Sequence, residues 1–83
     1  MPISHNFEAD SEGYVSLGEV SRSLLGKQAQ YGCPYFDAQS AAHRDIPYLG
    51  EGLRIKGTAA IYHEMLIHKD DIEEAVERFK NRF

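Results

Sequence analysis

Glycine and proline divide this chain into short segments, and that punctuation limits each element to a few turns of helix or a few residues of strand. Seven glycines and three prolines are spread over 83 residues. Residues 1–13 contain Pro2 and end at Gly13; they are polar, show no sustained period, and read as an extended arm. Gly26 or Gly32 closes the first periodic segment, Pro34 opens the next, and Ile46-Pro47 breaks it. Gly50, Gly52 and Gly57 punctuate the third. Residues 14–83 then make a single small domain with one modest core, a size at which a partner or a second copy often adds stability.

Within these limits the apolar spacing assigns the elements. Ser16-Leu17-Gly18-Glu19 is a capping box, serine followed three residues later by glutamate. Leu17, Val20, Leu24 and Leu25 then recur on one helical face. The helix stops at Gly26, or runs to Tyr31 with Gly32 as its stop. Tyr35 to Arg44 reads as a second helix, with Asp37 in its first turn and Tyr35, Ala38, Ala41 and Ala42 on one face. Leu53 to Lys56 alternates as a strand does, with a turn at Gly57-Thr58. Residues 59–68 suit a strand pairing back on 53–56, but Ile61, Met65, Ile72, Val76, Phe79 and Phe83 also fit one long helix. Under either reading Asp71 to Asn81 is helical, burying Ile72, Ala75, Val76 and Phe79.

Charge shapes the functional expectation. The net charge is −4, whereas a dedicated nucleic-acid binder usually carries a basic excess. The acid sits at the ends: Glu8, Asp10 and Glu12, then Asp70, Asp71, Glu73, Glu74 and Glu77. From Ser16 to Lys69 the chain is near neutral, leaving room for a basic surface. Cys33 is the lone cysteine, which excludes an intrachain disulfide and fits a reducing compartment. The first six residues lack the basic and apolar regions of a signal peptide, and no apolar run is long enough to span a bilayer. The cytoplasm is the expected location, with no membrane contact.

Enzymatic readings fail on spacing. His63 and His68 stand five residues apart, and a zinc-protease helix needs four. At five they diverge on a helix and fall on opposite faces of a strand. Cys33 and His43 lack a third, orienting group and an oxyanion site. The run Gly50 to Gly57 matches neither phosphate-cradling pattern, and Asp70 to Glu74 is most simply a helix start. No cofactor, metal site or catalytic residue is expected; the chain reads as a binder.

Four stretches together resemble the winged helix-turn-helix domains of the MerR-like and excisionase-like type. Tyr14 to Val20 resembles their opening strand-like residue, cap and first helix. Cys33 to Asp45 sits where their recognition helix sits, and Ile46-Pro47-Tyr48-Leu49 resembles the lead into the wing. Met65 to Glu73 resembles their closing strand and acidic helix start. The resemblance implies a mainly α fold of three helices with a small β-hairpin as wing, and duplex DNA as the partner. The second helix would lie in the major groove. Gln39, Ser40, His43 and Arg44 would then read bases, Arg54 and Lys56 would be wing contacts to phosphate, and Lys27 and Arg22 further backbone contacts. Such a protein would be a DNA-binding regulator or recombination-directionality factor, acting as a dimer or cooperative array. The sequence departs from the family in offering a single basic residue, Arg44, on that helix, and in a longer stretch between Pro47 and Asp70. A rival expectation comes from the acidic ends: a protein-binding module, such as a phage-type inhibitor or antitoxin-like partner, that engages a basic surface.

Overall fold

Residues 7–25, 34–57 and 65–82 are described by the computed structural model. The Ser16 cap forms as its spacing predicts. The Ser16 hydroxyl accepts the Glu19 amide at 3.2 Å and starts α1 (Leu17–Val20), which widens into a π-helical segment over Ser21–Leu25. Leu17 and Val20 are fully buried, and Leu24 packs partly against the same core. Ser21, where the helix widens, is also fully buried, and its hydroxyl has no hydrogen-bond partner among the described residues.

The second helix is shorter than the spacing predicts. Pro34–Phe36 form a 3-10 turn, and α2 covers Ala38–His43. Asp37 is its cap rather than part of its first turn, because the backbone there is extended and the carboxylate accepts the Gln39 amide at 3.0 Å. The predicted alanine face is corrected too: Ala41 is buried, whereas Ala38 and Ala42 are exposed. A helix of one and a half turns offers little inward surface, and Phe36 from the preceding turn fills the space beneath it. At the other end the Ile46 amide reaches the Ala41 carbonyl at 2.9 Å and the Asp45 amide that of Ala42 at 3.2 Å. This is a Schellman closure, with Asp45 at φ 55° in the position usually given to glycine.

Three short strands make one antiparallel sheet: β1 (Tyr14–Ser16), β2 (Ile55–Lys56) and β3 (Leu66–His68), in the order β1-β3-β2. The long-helix alternative through Met65 is therefore overturned, because Leu66–His68 is a strand paired on both sides; residues 58–64, which would join it to β2, lie outside the described set. Val15, Ile67 and Ile55 align across the sheet on the face turned to the helices. Tyr14, Ser16, Lys56, Leu66 and His68 alternate to the other face. The expected mainly α fold with a two-stranded wing is thus a mixed one, with a three-stranded sheet and about half of the described residues helical.

His68 ends β3 and caps the next element. Its Nδ1 accepts the Asp70 amide at 3.2 Å, starting a 3-10 turn (Lys69–Asp71) that leads into α3 (Ile72–Arg82). The buried face of α3 is Ile72, Ala75, Val76 and Phe79, the stripe that the sequence predicts. It closes the core over Val15, Ile67, Met65 and Phe36. The expected arm is described only from residue 7. There Phe7 packs against the core, and Asp10 folds residues 10–14 into a turn by accepting the Glu12 and Tyr14 amides at 2.9 Å each. The Lys69 amide then holds this turn to the sheet through the Gly13 carbonyl at 2.9 Å. No helix among the described residues is long and apolar enough to cross a membrane.

Candidate nucleic-acid interface

The residues assigned to base reading all lie on or beside α2, but they are not equivalent. Gln39 and His43 are exposed and one helical turn apart, so their side chains share a face. Arg44 follows at the C-cap and is also exposed. None of these three side chains makes a hydrogen bond or ion pair with another described residue. Ser40 differs. It is half-buried, and its hydroxyl donates to Asp37 Oδ2 at 3.3 Å, so it belongs to the cap that builds the helix.

The cations expected on the wing, Arg54 and Lys56, are held in a different way. Asp71, from the turn before α3, receives the Arg54 backbone amide at 2.8 Å and Nε at 3.0 Å on one oxygen, and Nη2 at 3.1 Å on the other. The guanidinium bond holds the Asp71 carboxyl below its ordinary range, and the same bond raises Arg54. The side chain of Asp71 is 17% exposed and that of Arg54 51%, so the clamp is sheltered on the carboxylate side only. Lys56 lies over the Tyr14 ring at 3.9 Å from its centre and 3.6 Å from Glu12 Oε2. Tyr14 in turn meets the His68 ring edge-on at 5.3 Å. Asp10, whose carboxyl is lowered chiefly by the Tyr14 amide, adds a second negative charge near Lys56. Both cations expected to contact phosphate from the wing thus have a carboxylate partner, Arg54 a bidentate one in Asp71 and Lys56 a single exposed contact with Glu12.

Two further expected contacts divide similarly. Arg22 is exposed on the π-helical segment, while Lys27 lies outside the described residues. Cys33 and His63 also lie outside them, so neither the Cys33–His43 nor the His63–His68 pairing is described. Among the described residues no group of three or more histidine, cysteine, aspartate or glutamate side chains is placed to hold a metal ion.

The sequence reading missed Arg78. It reaches from α3 to donate through Nη1 to the Leu49 carbonyl at 3.0 Å and the Glu51 carbonyl at 2.6 Å, while Nε pairs with Glu74 at 3.2 Å. This fixes the loop that connects α2 to β2. Gly50 lies within that loop because a Cβ there would come within 2.5 Å of the Phe36 carbonyl oxygen. A shallow groove lined by Tyr48, Leu49, Glu51, Arg78, Asn81 and Arg82 runs beside these bonds. One local signal did announce the N-terminal turn: Asp10 followed three residues later by Gly13 is a turn spacing. The spacing of Glu74 and Arg78 is a local i,i+4 signal for their pairing, but nothing local announces the two loop carbonyls, which are 27 and 29 residues away. Searches of protein-family models, curated proteins and solved structures found no match to this chain.

Proposed function

We propose that this chain is a small duplex-DNA-binding domain of winged helix-turn-helix type, acting as a regulator or recombination-directionality factor. The observation that carries the reading is the exposed face of α2, where Gln39, His43 and Arg44 have side chains without partners among the described residues. Polar side chains of these types, held on a capped helix and left unengaged, suit base edges: Gln pairs with adenine and Arg with guanine. The order of elements supports the same reading, with α1, α2, a strand pair and a closing acidic helix start. Binding of a labelled duplex pool, followed by fluorescence anisotropy across a salt series, tests it. Arg44→Ala is expected to cost about 1–3 kcal/mol of binding at a selected site and to relax specificity at one base position. If no duplex is bound even at low ionic strength, the reading falls.

A second reading has its own support. Arg54 and Lys56 are paired internally, and Asp70, Glu73 and Glu77 are exposed at the start of α3 and along it. That acidic face suits a basic protein surface. Charge reversal at Glu73 and Glu77 would then abolish capture of a protein partner and leave duplex binding weak or absent in both forms.

A further inference from the structure

The two wing cations differ in how firmly they are held, and the difference bears on how the wing would meet DNA; this inference rests on the DNA-binding reading above. We propose that Glu12 acts as an internal stand-in for phosphate at Lys56, so that Lys56 passes from Glu12 to the DNA backbone on binding while Arg54 stays with Asp71.

The geometry separates the pairs. Lys56 and Glu12 meet through a single contact of 3.6 Å, and their side chains are 47% and 70% exposed. An exposed pair of this kind is weakly held and is weakened further by salt. The Arg54 clamp has two parallel side-chain bonds and a backbone amide bond on the same carboxylate. Bidentate pairing of this type is stronger, and breaking it would also detach the start of β2 from the turn before α3. Tyr14 supplies what an exchangeable lysine needs. Its ring lies 3.9 Å from the ammonium, so the cation stays on the sheet face when Glu12 lets go. Glu12 stands on the turn fixed by Asp10, which keeps the competing carboxylate beside Lys56 in the unbound protein. DNA offers Lys56 an anion of the same kind, with counterion release added. The wing is therefore masked, and a duplex must displace one carboxylate to engage it.

The test is a double-mutant cycle read by fluorescence anisotropy on a short mixed-sequence duplex at low salt, using the full chain. Glu12→Gln is expected to tighten binding about 2- to 5-fold, the fold-change corresponding to an exposed ion pair. Lys56→Gln is expected to weaken binding and to lower the salt slope by about 0.9. In the Lys56→Gln background, Glu12→Gln is expected to give no gain. Unchanged thermal melts for both variants show that the fold is intact. An equal gain from Glu12→Gln with and without Lys56 would mean simple charge repulsion and overturns the proposal. Wild-type binding that Glu12→Gln leaves unaltered overturns it as well, while the DNA-binding reading stands. If neither form binds duplex at low salt, the DNA-binding reading falls and the masking proposal falls with it.

Discussion

On β2 and the residue before it, Lys56 and Arg54 have carboxylate partners, Glu12 through one exposed contact and Asp71 through a bidentate clamp, whereas on α2 the side chains of Gln39, His43 and Arg44 extend without a described partner. Both regions offer basic residues in the sequence, Arg44 at the end of α2 and Arg54 and Lys56 in the alternating stretch of the strand. The difference lies in their neighbours. β2 is one strand of a sheet that touches both acidic ends of the chain, while α2 is a short capped helix that buries only Ala41. The net charge of −4 is left unchanged by these ion pairs, because Asp71, Glu12 and Glu74 each engage one cation, Arg54, Lys56 and Arg78; what the pairing reduces is the free basic surface.

Substitutions put this contrast at risk, and the greatest change is expected in the sheet. Ile67 is fully buried between Val15 and Ile55, so Ile67→Ala should cost about 3 kcal/mol, a large part of the stability of so small a domain. Chemical denaturation would show it as a lower midpoint with an unchanged slope; a loss below about 1 kcal/mol would mean that the sheet is not the structural half of the comparison.

Next comes the clamp. Asp71→Asn keeps the shape but removes the charge on which the Arg54 pairing depends, and the melting temperature at neutral pH should fall by a few degrees (about 3–6 °C). The pH dependence has a definite sign. Because the folded state holds the Asp71 carboxyl below its ordinary value of 3.8, its contribution is present above that value. It is lost as pH falls below 3.8 toward the folded-state value. Asp71→Asn should therefore flatten that part of the acid limb, and thermal melts between neutral and acid pH would reveal an unflattened limb if the clamp were ornamental.

On the α2 side the expected change is smaller and opposite in direction. Asp45 closes the helix at φ 55°, a conformation glycine adopts without strain. Asp45→Gly should raise stability by about 0.5–1 kcal/mol, measurable as a higher denaturation midpoint. The least change is expected at the exposed face itself. Arg44→Ala should alter folding stability by less than about 0.5 kcal/mol, because its side chain supports nothing else in the described structure. A larger loss would show that α2 is braced by Arg44 and would remove the distinction between the two regions.

Particular residues show how far the sequence can be read. The cap at Ser16, the breaks at Pro34 and Pro47, and the stripe of Ile72, Ala75, Val76 and Phe79 are all legible, because each depends on residues within one or two helical turns. The alanine face of α2 is misread from spacing because Asp37 caps the helix and leaves it too short to bury more than Ala41. Residues 66–68 are ambiguous in isolation, since a short apolar run satisfies both periods. Pairing with β1 on one side and β2 on the other resolves them as strand.

Local chemistry along the chain is enough to set the cap at Ser16 and which face of α3 is buried. Those are matters of backbone capping and spacing. Three-dimensional packing was needed to establish that β1 completes the sheet and that Arg78 secures the loop at Leu49 and Glu51. It was needed equally to pair Arg54 with Asp71 and Lys56 with Glu12. The cause is distance along the chain: a guanidinium and a carboxylate seventeen residues apart carry no mark of each other until the backbone brings them within 3.0 Å.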